Sequence, residues 1–345
     1  MQGAFKVEVL GTFDEPWALA ILPYGAALIT ERSGRLKLRW EDGRIVDVPG
    51  APQVDYGGQG GLGDVVLAPD FSSTGEIYLS WVEDGGNGTR GAVVGHGKLG
   101  FGTDTPALSD LQVIWRQAPK VSGRGHFSHR LAFSPDGKYL FIASGERQKF
   151  TPAQDLSNNL GKVLRLNLDG TPAAGNPFAA KGGLSAQIWT YGHRNILGLQ
   201  FDAAGQLWDL EHGPAGGDEL NLVKPGQNYG WPLVSDGDNY DGSPIPRHAT
   251  RPDLAGPAIS WNPVIAPGDF IFYSGKLWPQ WSGQALIAGM GYPGLVRVQI
   301  EGDKGREEAR YPLGHRIREI REDRDGSLLV LEDGKGGRLL RLTPK

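Results

Sequence analysis

The residues best suited to chemistry lie in the segment 211–221, which reads EHGPAGGDELN. Its three glycines let the backbone turn tightly, so that carbonyl oxygens can point at one centre. Carbonyl and carboxylate oxygens are the ligands that a hard cation such as calcium prefers. Arg194 lies seventeen residues upstream (211 − 194) in a second glycine turn, YGHRN at 191–195. A site that combines a cation with an arginine is suited to an anionic ligand.

A second candidate site is the segment 125–130, which reads GHFSHR. A histidine on such a loop is a candidate general base, because the imidazole pKa lies near the working pH. Glu146 follows the next predicted strand, and a hairpin could bring its carboxylate to the His126 ring and fix the tautomer. Two alternatives stay open. His126 and His129 could form a metal site, although zinc would need further nitrogen or sulfur ligands, or both histidines could simply pack or face solvent.

Three further motifs are ambiguous by themselves. Gln59 lies in a glycine turn at 59–63, which is typical of a turn between strands. Arg316 and Arg318 are two residues apart, so on a strand they would face the same side, either as a solvated edge or as a grip on a carboxylate. The acidic glycine loop at 236–242 lacks the spacing of a calcium loop, and we interpret it as a solvated turn.

The elements that must position these residues are short strands, since helical periodicity is almost absent. Six units of a turn followed by an apolar run recur, with strands predicted at 26–30, 77–81, 139–143, 207–210, 285–288 and 328–331. A turn glycine precedes each strand: Gly25, Gly75, Gly137, Gly205, Gly283 and Gly326. Six units in 345 residues average about 57 (345/6), enough for a four-stranded blade with long loops.

The sequence therefore predicts an all-β, six-bladed β-propeller with four-stranded antiparallel blades. A β-sandwich or two separate domains are the alternatives, because turn glycines look periodic in many β proteins. We expect one domain over 1–345, with a long loop region at about 224–270 that covers one face of the propeller. A WD40 propeller is excluded by the long period and by the absence of a Gly-His partner for a Trp-Asp end.

Composition narrows the function. The net charge of −4 lacks any basic block, so nucleic acid is not an expected partner. The chain has no cysteine, which excludes disulfides, thiolate zinc sites and cysteine nucleophiles. Apolar runs stay well short of the roughly 20 residues that span a membrane, so no span is expected. The first residues do not form a signal peptide, and a periplasmic or secreted location is expected only if a precursor signal was removed.

Taken together, the motifs resemble the soluble quinoprotein glucose dehydrogenase and aldose sugar dehydrogenase family, which uses pyrroloquinoline quinone (PQQ). The resemblance runs in order from 16–19 and 30–32 to 330–331. The combination of 191–195 (YGHRN), 211–214 (EHGP) and 228–232 (NYGWP) is highly specific. The chain is more similar to the short aldose sugar dehydrogenase branch, and the family's fold is a six-bladed propeller.

The resemblance implies a catalytic group and a cofactor group. In the catalytic group, His126 matches the base, Glu146 the acid that orients it, and Arg194 a contact of the reactive quinone edge. The cofactor contacts implied for PQQ are Gln59, Arg194, Asn195, His212, Trp261, Arg316 and Arg318. His212 stands where the family has a glutamine, and the loop 290–294 lacks a lysine that the glucose dehydrogenase branch directs at the quinone.

The resemblance also implies two calcium ions. Backbone carbonyls of Gly213 and Pro214 match the ligands of a Ca²⁺ that bridges protein and PQQ. Glu219 and Tyr229 match a second, structural calcium site.

The implied function is oxidation of an aldose at C1 to a lactone. The base removes the hydroxyl proton, hydride passes to the quinone, and an external acceptor takes the electrons. The chain would act as a monomer or a homodimer. The alternatives are a calcium-dependent sugar-lactone hydrolase and a glycan-binding propeller without catalysis. The arginine pair favours the first, because a neutral lactone has no carboxylate for it to hold.

Overall fold

Six antiparallel sheets stand around a central channel in the computed structural model, which describes residues 4–101 and 105–345. Five sheets have four strands, and the sixth has five, because a strand of eleven residues and one of two residues pair with successive parts of its third strand. The predicted six-bladed propeller with four-stranded antiparallel blades is confirmed. No helix in the described ranges is long and apolar enough to cross a membrane.

The strands follow one another along the chain. In the first half they are β1 (Phe5–Asp14), β2 (Pro16–Ile21), β3 (Ala27–Glu31), β4 (Arg35–Arg39), β5 (Ile45–Asp47), β6 (Leu62–Leu67), β7 (Glu76–Gly86), β8 (Thr89–Phe101), β9 (Pro106–Arg116), β10 (Val121–Ser122), β11 (Ser128–Phe133), β12 (Tyr139–Ser144), β13 (Lys162–Asn167) and β14 (Ile188–Tyr191). In the second half they are β15 (Ile196–Phe201), β16 (Leu207–Glu211), β17 (Asp218–Val223), β18 (Ile259–Trp261), β19 (Pro267–Phe272), β20 (Ala285–Gly289), β21 (Gly294–Glu301), β22 (Lys304–Pro312), β23 (Ile317–Glu322), β24 (Leu328–Glu332) and β25 (Lys335–Pro344).

Helical structure is confined to short pieces between strands. They are the α-helix α1 (Phe71–Thr74) and 3₁₀ turns at Thr151–Gln154, Ala179–Lys181, Gly183–Gln187, His248–Thr250 and Pro279–Trp281.

Blades 1 to 5 are each built from consecutive strands, and blade 6 joins the two ends of the described chain. Blade 1 is β2–β5, blade 2 is β6–β10, blade 3 is β11–β14, blade 4 is β15–β18 and blade 5 is β19–β22. Blade 6 consists of β23, β24 and β25 with β1 as its outer strand, and β1 pairs with β25 from Phe5–Pro344 to Asp14–Lys335. This pairing closes the ring.

The six repeat units found in the sequence are the second strands of the six blades. Each predicted run falls on β3, β7, β12, β16, β20 or β24, within a residue of the observed bounds except at the end of β7, which continues to Gly86. The turn glycine before each one has a φ between 70° and 89°. Glycine adopts this left-handed conformation without the steric cost that a Cβ would add. The repeat is therefore a backbone requirement of the turn from first to second strand.

Neighbouring blades pack face to face through apolar side chains. On β3, Leu28 packs between blades 1 and 2, and the next residue, Ile29, packs between blades 6 and 1. Successive side chains of a strand point to opposite faces, so a strand buried on both faces is continuously apolar. This explains why the second strands are apolar runs. Burying each such side chain contributes about 1.5–3 kcal/mol.

Charged side chains from the innermost strands block the central channel. Arg130 on β11 is 1% exposed and lies 2.7 Å from a carboxylate oxygen of Glu319 and 3.5 Å from one of Asp64. Asp269 and Arg321 extend the network from β19 and β23. Removing one partner from such a buried network typically costs about 3–5 kcal/mol. The guanidinium of Arg130 also lies 4.2 Å from the centre of the Trp17 ring, and so supports that ring from the channel side.

The loop region predicted at about 224–270 is shorter than expected. Irregular chain with one 3₁₀ turn runs from 224 to 258, and then β18 and β19 begin inside the predicted range. β18 has three residues at the outer edge of blade 4, too few to show an alternating pattern in the sequence.

Candidate active site

A cavity with a cationic lining lies next to the channel network, and we call it cavity one. Three arginines, Arg32, Arg316 and Arg318, line it together with the supported ring of Trp17. Its other lining residues are Gly58, Gln59, Phe127, Ser128, His129, Asn195, Leu197, His212 and Met290. These residues come from four of the blades and the loops between them, so the ring closure assembles the cavity. Three guanidinium groups in one cavity favour an anionic ligand.

Arg316 and Arg318 share one partner. Arg316 Nε donates to Asp333 Oδ2 at 2.9 Å, and Arg318 donates through Nε and Nη2 to Oδ1 at 2.9 and 2.7 Å. Burial opposes the ionised form, yet the charge of Arg318 and the bond from Arg316 keep the pKa of Asp333 below its usual value. Both arginines contact the same carboxylate, although Arg316 precedes β23 rather than lying on it, and this single carboxylate neutralises only part of their charge.

The hairpin of β11 and β12 brings Glu146 to His126. The Nδ1 atom of His126 contacts Glu146 Oε1, and Glu146 Oε2 accepts hydrogen bonds from the backbone N–H groups of Lys149 and Phe150 at 2.5 and 2.7 Å. The carboxylate is thus fixed on both oxygens. The sequence prediction that Glu146 reaches this imidazole is confirmed, while the catalytic roles of the two residues stay predictions.

Burial lowers the pKa of His126 below its usual 6.5, even though the bond to Glu146 acts in the opposite direction. Burial would raise the pKa of Glu146, but its bond to His126 outweighs this and holds the pKa below the usual value. At neutral pH the pair is therefore a neutral imidazole beside a carboxylate. Nδ1–H donates to the carboxylate, and Nε2 is left as the basic atom.

Gln59 joins this pair to cavity one. Its side-chain oxygen accepts the backbone N–H of His126 at 2.7 Å, and the residue lines the cavity. The glycine turn around Gln59 packs closely against the backbone of Arg32, because a Cβ on Gly61 would lie 2.0 Å from the carbonyl oxygen of Arg32. The turn therefore fixes both the amide and the backbone of the predicted base.

The motif 191–195 is anchored by Glu211. The backbone N–H of Arg194 donates to Glu211 Oε2 at 2.6 Å, and the Arg194 side chain donates to the carbonyl of His212 at 3.1 Å. The next residue, Asn195, lines cavity one and accepts the backbone N–H of Ser128 at 3.2 Å. The structure thus brings 125–130, 191–195 and 211–221 together, as their chemistry predicted.

The buried imidazole of His193 contacts Glu211, the carboxylate that anchors this motif. His193 lies 3.1 Å from Glu211 and 3.4 Å from Asp209, and its ring stacks on Tyr229 at 4.7 Å. Burial acts against its charge, but Asp209 and Glu211 raise the pKa of His193 above its usual value. Thr190 bonds the other ring nitrogen at 2.9 Å. Although His193, Asp209 and Glu211 are grouped closely enough to bind a metal, both ring nitrogens are already bonded.

The glycine-rich turn in 211–221 is held by Asp218. Its Oδ1 accepts the N–H of Gly213 at 2.9 Å, and its Oδ2 accepts the N–H of Ala266 at 2.7 Å. A Cβ on Gly213 would lie 2.2 Å from the carbonyl oxygen of Gly216. The turn therefore tolerates only glycine at this point. Coordination of calcium by Gly213 and Pro214 stays a prediction.

His212 separates two cavities. Its Nε2–H donates to the carbonyl of Pro267 at 2.6 Å, and burial lowers the pKa of His212 to about 3, so the ring is neutral. The residue lines cavity one on one side and a second, smaller cavity on the other.

The second cavity, which we call cavity two, has an acidic character. Glu211 and Glu219 line it with Arg194, a predicted quinone contact, and Gly213 and Tyr229 also line it, so it borders residues of both predicted calcium sites. Burial, with Glu211 and Asp236 nearby, raises the pKa of Glu219 well above its usual value despite the opposing charge of His248. The Tyr229 hydroxyl donates to the carbonyl of Leu222 at 2.6 Å. A carboxylate in this position requires a positive partner.

The interpretation of the loop 236–242 as a solvated turn is wrong at its first residue. The Asp236 side chain is 29% exposed, accepts the hydroxyl of Ser260 at 2.7 Å and lies 3.6 Å from His248. The nearby imidazole of His248 and the hydrogen bond from Ser260 lower the pKa of Asp236 to about 2. The physical reason is the fold of the loop 224–258, which returns His248 to this position.

His129 and Trp261 occupy different surroundings from His126. The His129 ring packs against Trp17 and Phe127, and burial lowers its pKa to about 3. The ligand clusters of three or more side chains found within 4–101 and 105–345 do not include a His126–His129 pair. Trp261 packs in the core between blades 4 and 5, and its carbonyl accepts the N–H of Gly217 at 2.8 Å. Its predicted place at the cofactor stays a prediction.

Sequence reasoning did not assign four residues that the structure places at the site. Asp218 lies inside the analysed motif and could have been found there, and Arg32 lies in a segment quoted for the resemblance. Asp333 and His248 gave no local signal, because their partners are brought in by the blade pairing and by the long loop.

The chain is similar to known proteins along almost its whole length. A family model described as glucose/sorbosone dehydrogenase matches residues 13–341. The aldose sugar dehydrogenase YliI of Escherichia coli K12 is 42% identical over 99% of this chain and 93% of that protein. The crystal structure of the soluble aldose sugar dehydrogenase from E. coli in the apo-form has a TM-score of 0.91, with 39% identity over 99% of this chain and 100% of that one. The PQQ-bound form of an aldose sugar dehydrogenase from Streptomyces coelicolor has a TM-score of 0.80, with 26% identity over 99% and 98% of the two chains.

Proposed function

Because the chain belongs to the glucose/sorbosone dehydrogenase family and is an oxidoreductase acting on sugar CH–OH groups, we propose that it is a PQQ- and calcium-dependent aldose dehydrogenase. It oxidises the C1 hydroxyl of an aldose to give a lactone and passes the electrons to an external acceptor. The observation that carries the proposal is the fixed His126–Glu146 pair beside a cavity lined by three arginines.

The chemistry of cavity one fits PQQ. PQQ is a planar tricarboxylate, and Arg32, Arg316 and Arg318 offer three guanidinium groups whose charge Glu15 and Asp333 offset only in part. Gln59 and Asn195 add amide groups for the ring oxygens and nitrogens. When bound, PQQ supplies the two-electron acceptor that no side chain of the protein provides. The relative from S. coelicolor, whose structure is described as PQQ-bound, supports this choice.

Calcium fits the neighbouring acidic cavity. The backbone of Gly213 borders cavity two, and Gly213 and Pro214 would offer carbonyl oxygens, which are hard donors. A second cation would lie at Glu219 and Tyr229. The acid excess around Glu211 and Glu219 supports a bound cation there, since buried carboxylates need a positive partner.

The protein's part in catalysis is to hold and move one proton. His126 Nε2 takes the proton of the C1 hydroxyl, and Glu146 stabilises the imidazolium that forms. Arg194, held by Glu211 and by the carbonyl of His212, lines cavity two beside cavity one and would offer a positive charge to the quinone edge, as the resemblance implies. Trp17 and the ion pairs of the channel network lie at the inner end of cavity one and keep water out of it.

The proposal is tested by reconstitution. Purified protein is stripped of ligands, and PQQ and Ca²⁺ are added together and singly. We expect quinone absorbance on the protein, and sugar-dependent dye reduction only with both added, with lactone as the product. Hydrolysis of a sugar lactone by the PQQ-free, calcium-loaded protein, without any dye reduction by the fully loaded protein, would instead establish the lactonase alternative.

A further inference from the structure

The guanidinium of Arg194 is held by neutral groups. The residue is 6% exposed, and its Nη1 donates to the carbonyl of His212 at 3.1 Å while its Nη2 donates to the hydroxyl of Tyr240 at 3.2 Å. The rings of Trp231 and Tyr240 lie 5.1 and 5.9 Å from its central carbon, close enough for a cation–π contact on each. Within residues 4–101 and 105–345 the guanidinium forms no ion pair with a carboxylate.

Neutral contacts have a different consequence from an ion pair. Arg316 and Arg318 give part of their charge to Asp333, which fixes them and weakens them for a ligand at the same time. A carbonyl, a hydroxyl and two ring faces fix a guanidinium without cancelling its charge. The charge of Arg194 is therefore oriented in advance and stays available to an anionic group.

Tyr240 reaches Arg194 because its loop is attached to the glycine-rich turn. In the loop 236–242, Asp238 exchanges two backbone hydrogen bonds with Ala215, at 2.9 and 3.1 Å. The same turn supplies the His212 carbonyl that holds the other side of the guanidinium. One segment of the chain therefore sets both hydrogen bonds of this side chain.

The two rings on either side of Arg194 differ in their support. Trp231 is 5% exposed and stacks on Phe150 at 5.6 Å, and the N–H of Phe150 donates to Glu146. Tyr240 is 79% exposed. The inner ring is thus part of the packed structure around the His126–Glu146 pair, whereas the outer ring contributes little burial. Tyr240 can be replaced without opening the core.

We propose that Tyr240 is a positioning residue that, with Trp231, clamps the guanidinium of Arg194 in the orientation used in sugar oxidation. The inference rests on the proposed function, in which Arg194 offers its charge to the quinone edge. Tyr240 acts through Arg194 and not through contact with the sugar. Without its outer ring and hydroxyl, the guanidinium is free to rotate, and part of its effect on the reaction is lost.

The test compares Tyr240→Ala and Tyr240→Phe with the wild type, each loaded with PQQ and Ca²⁺. We expect kcat to fall about tenfold in Tyr240→Ala and less in Tyr240→Phe, which keeps the ring and loses the hydroxyl contact. The KM for the aldose should stay within about twofold of the wild-type value, and the Tm of the ligand-free protein within about 2 °C, because the ring is exposed.

A double-mutant cycle with Arg194→Gln shows whether Tyr240 acts through the arginine. In the Arg194→Gln background, Tyr240→Ala should lower kcat by less than about a further twofold, because the group it positions is already gone. The absorbance band of bound PQQ, which needs no turnover, should shift in the same direction in Tyr240→Ala and in Arg194→Gln. The matched control is Tyr24→Ala, which removes a 44% exposed tyrosine from the turn between β2 and β3 and should resemble the wild type.

Three results would overturn the clamp. One is a pair of independent losses that simply multiply in the double variant. Another is a raised KM with unchanged kcat in Tyr240→Ala, which would make the ring a sugar contact. The third is a wild-type kcat and absorbance band in both Tyr240 variants.

The same samples separate the two proposals. Wild-type protein that reduces dye, combined with any of those three results, refutes only the clamp. Wild-type protein that binds PQQ without reducing dye refutes only the proposed function, and the absorbance bands then decide the clamp. Absence of PQQ binding in the wild type would refute both.

Discussion

Cavities one and two lie side by side and differ in the charged groups that line them. Cavity one has Arg32, Arg316 and Arg318 and neutral buried imidazoles, whereas cavity two has Glu211 and Glu219 together with Arg194. His212 borders both and is itself neutral. The contrast shows that one short segment, 211–221, can line a cation site on one side and an anion site on the other. Each ligand then lowers the cost of binding its neighbour, because opposite charges attract across a short distance of poorly solvated protein.

The largest expected effect is on turnover in cavity one. His126→Ala should lower kcat by roughly 10²-fold to 10⁴-fold, the usual contribution of a positioned base, while PQQ stays bound. Steady-state kinetics with PQQ titration measures both quantities. His96→Ala, which removes a carboxylate-paired histidine far from the site, is the control. Near-normal turnover in the His126 variant would remove this residue from the mechanism.

The next effect concerns the charge of cavity one. Arg318→Ala should weaken PQQ binding by roughly 30-fold or more, since losing one partner of a desolvated charge pair costs about 2–5 kcal/mol. Arg316→Ala should do less, because its side chain is 53% exposed against 13% for Arg318. Turnover should largely return at saturating PQQ.

Asp333→Asn is the matched control for the two arginines, since it removes their shared carboxylate and keeps both guanidinium groups. PQQ affinity should be kept or increased in this variant. Wild-type affinity in both arginine variants would identify the arginines as surface charges and strengthen the lactonase alternative.

The pH profile tests the His126–Glu146 pair. Because burial lowers the pKa of His126 below 6.5, the base stays neutral to lower pH, and the acid limb of kcat/KM should lie below pH 6.5. In Glu146→Gln the carboxylate that favours the imidazolium is lost. The limb should therefore move lower still, while kcat falls by at least about tenfold as the tautomer is no longer fixed. An acid limb that moves upward would contradict the assigned pair.

A smaller effect is expected in the turn between the cavities. Asp218→Asn keeps the shape of the side chain, but an amide cannot accept both N–H bonds, and leaving one buried donor unpaired costs about 1–3 kcal/mol. We expect a several-fold higher Ca²⁺ concentration for half-maximal activity, measured by Ca²⁺ titration of metal-free enzyme. Asp241→Asn, on an exposed turn, should leave the requirement unchanged. An unchanged requirement in both variants would separate the turn from calcium binding.

The smallest effect should come from Trp261. Trp261→Phe keeps the aromatic packing but loses the hydrogen bond to Glu307 at 2.8 Å, so the free energy of unfolding should fall by about 1 kcal/mol. PQQ affinity should stay within about twofold of wild type if the ring acts through the core, given that about 0.4 kcal/mol is a factor of two. A clear loss of PQQ affinity would support the role at the cofactor that the family resemblance implies.

The parts of the fold that the sequence revealed are those with a local physical cause. Left-handed turns require glycine, and strands buried on both faces require apolar runs, so the six blades were visible as a repeat. The pairing of Glu146 with His126 was visible because only a hairpin separates them. The sequence predicted the start of the loop at about 224. It did not predict β18, because three residues at a blade edge are too few to show an alternating pattern.

By itself, the sequence determined the six-bladed propeller, the three motif segments that meet at the site and the family to which the chain belongs. Only the tertiary structure decided that Asp333 neutralises part of the arginine pair, that Arg32 joins it from blade 1, and that Asp236 leaves the solvent to meet His248. The first contact crosses a hairpin of blade 6, the second joins different blades, and the third depends on a long loop. Their energies depend on burial and on distance between charges, and neither quantity is encoded in residue type or local spacing.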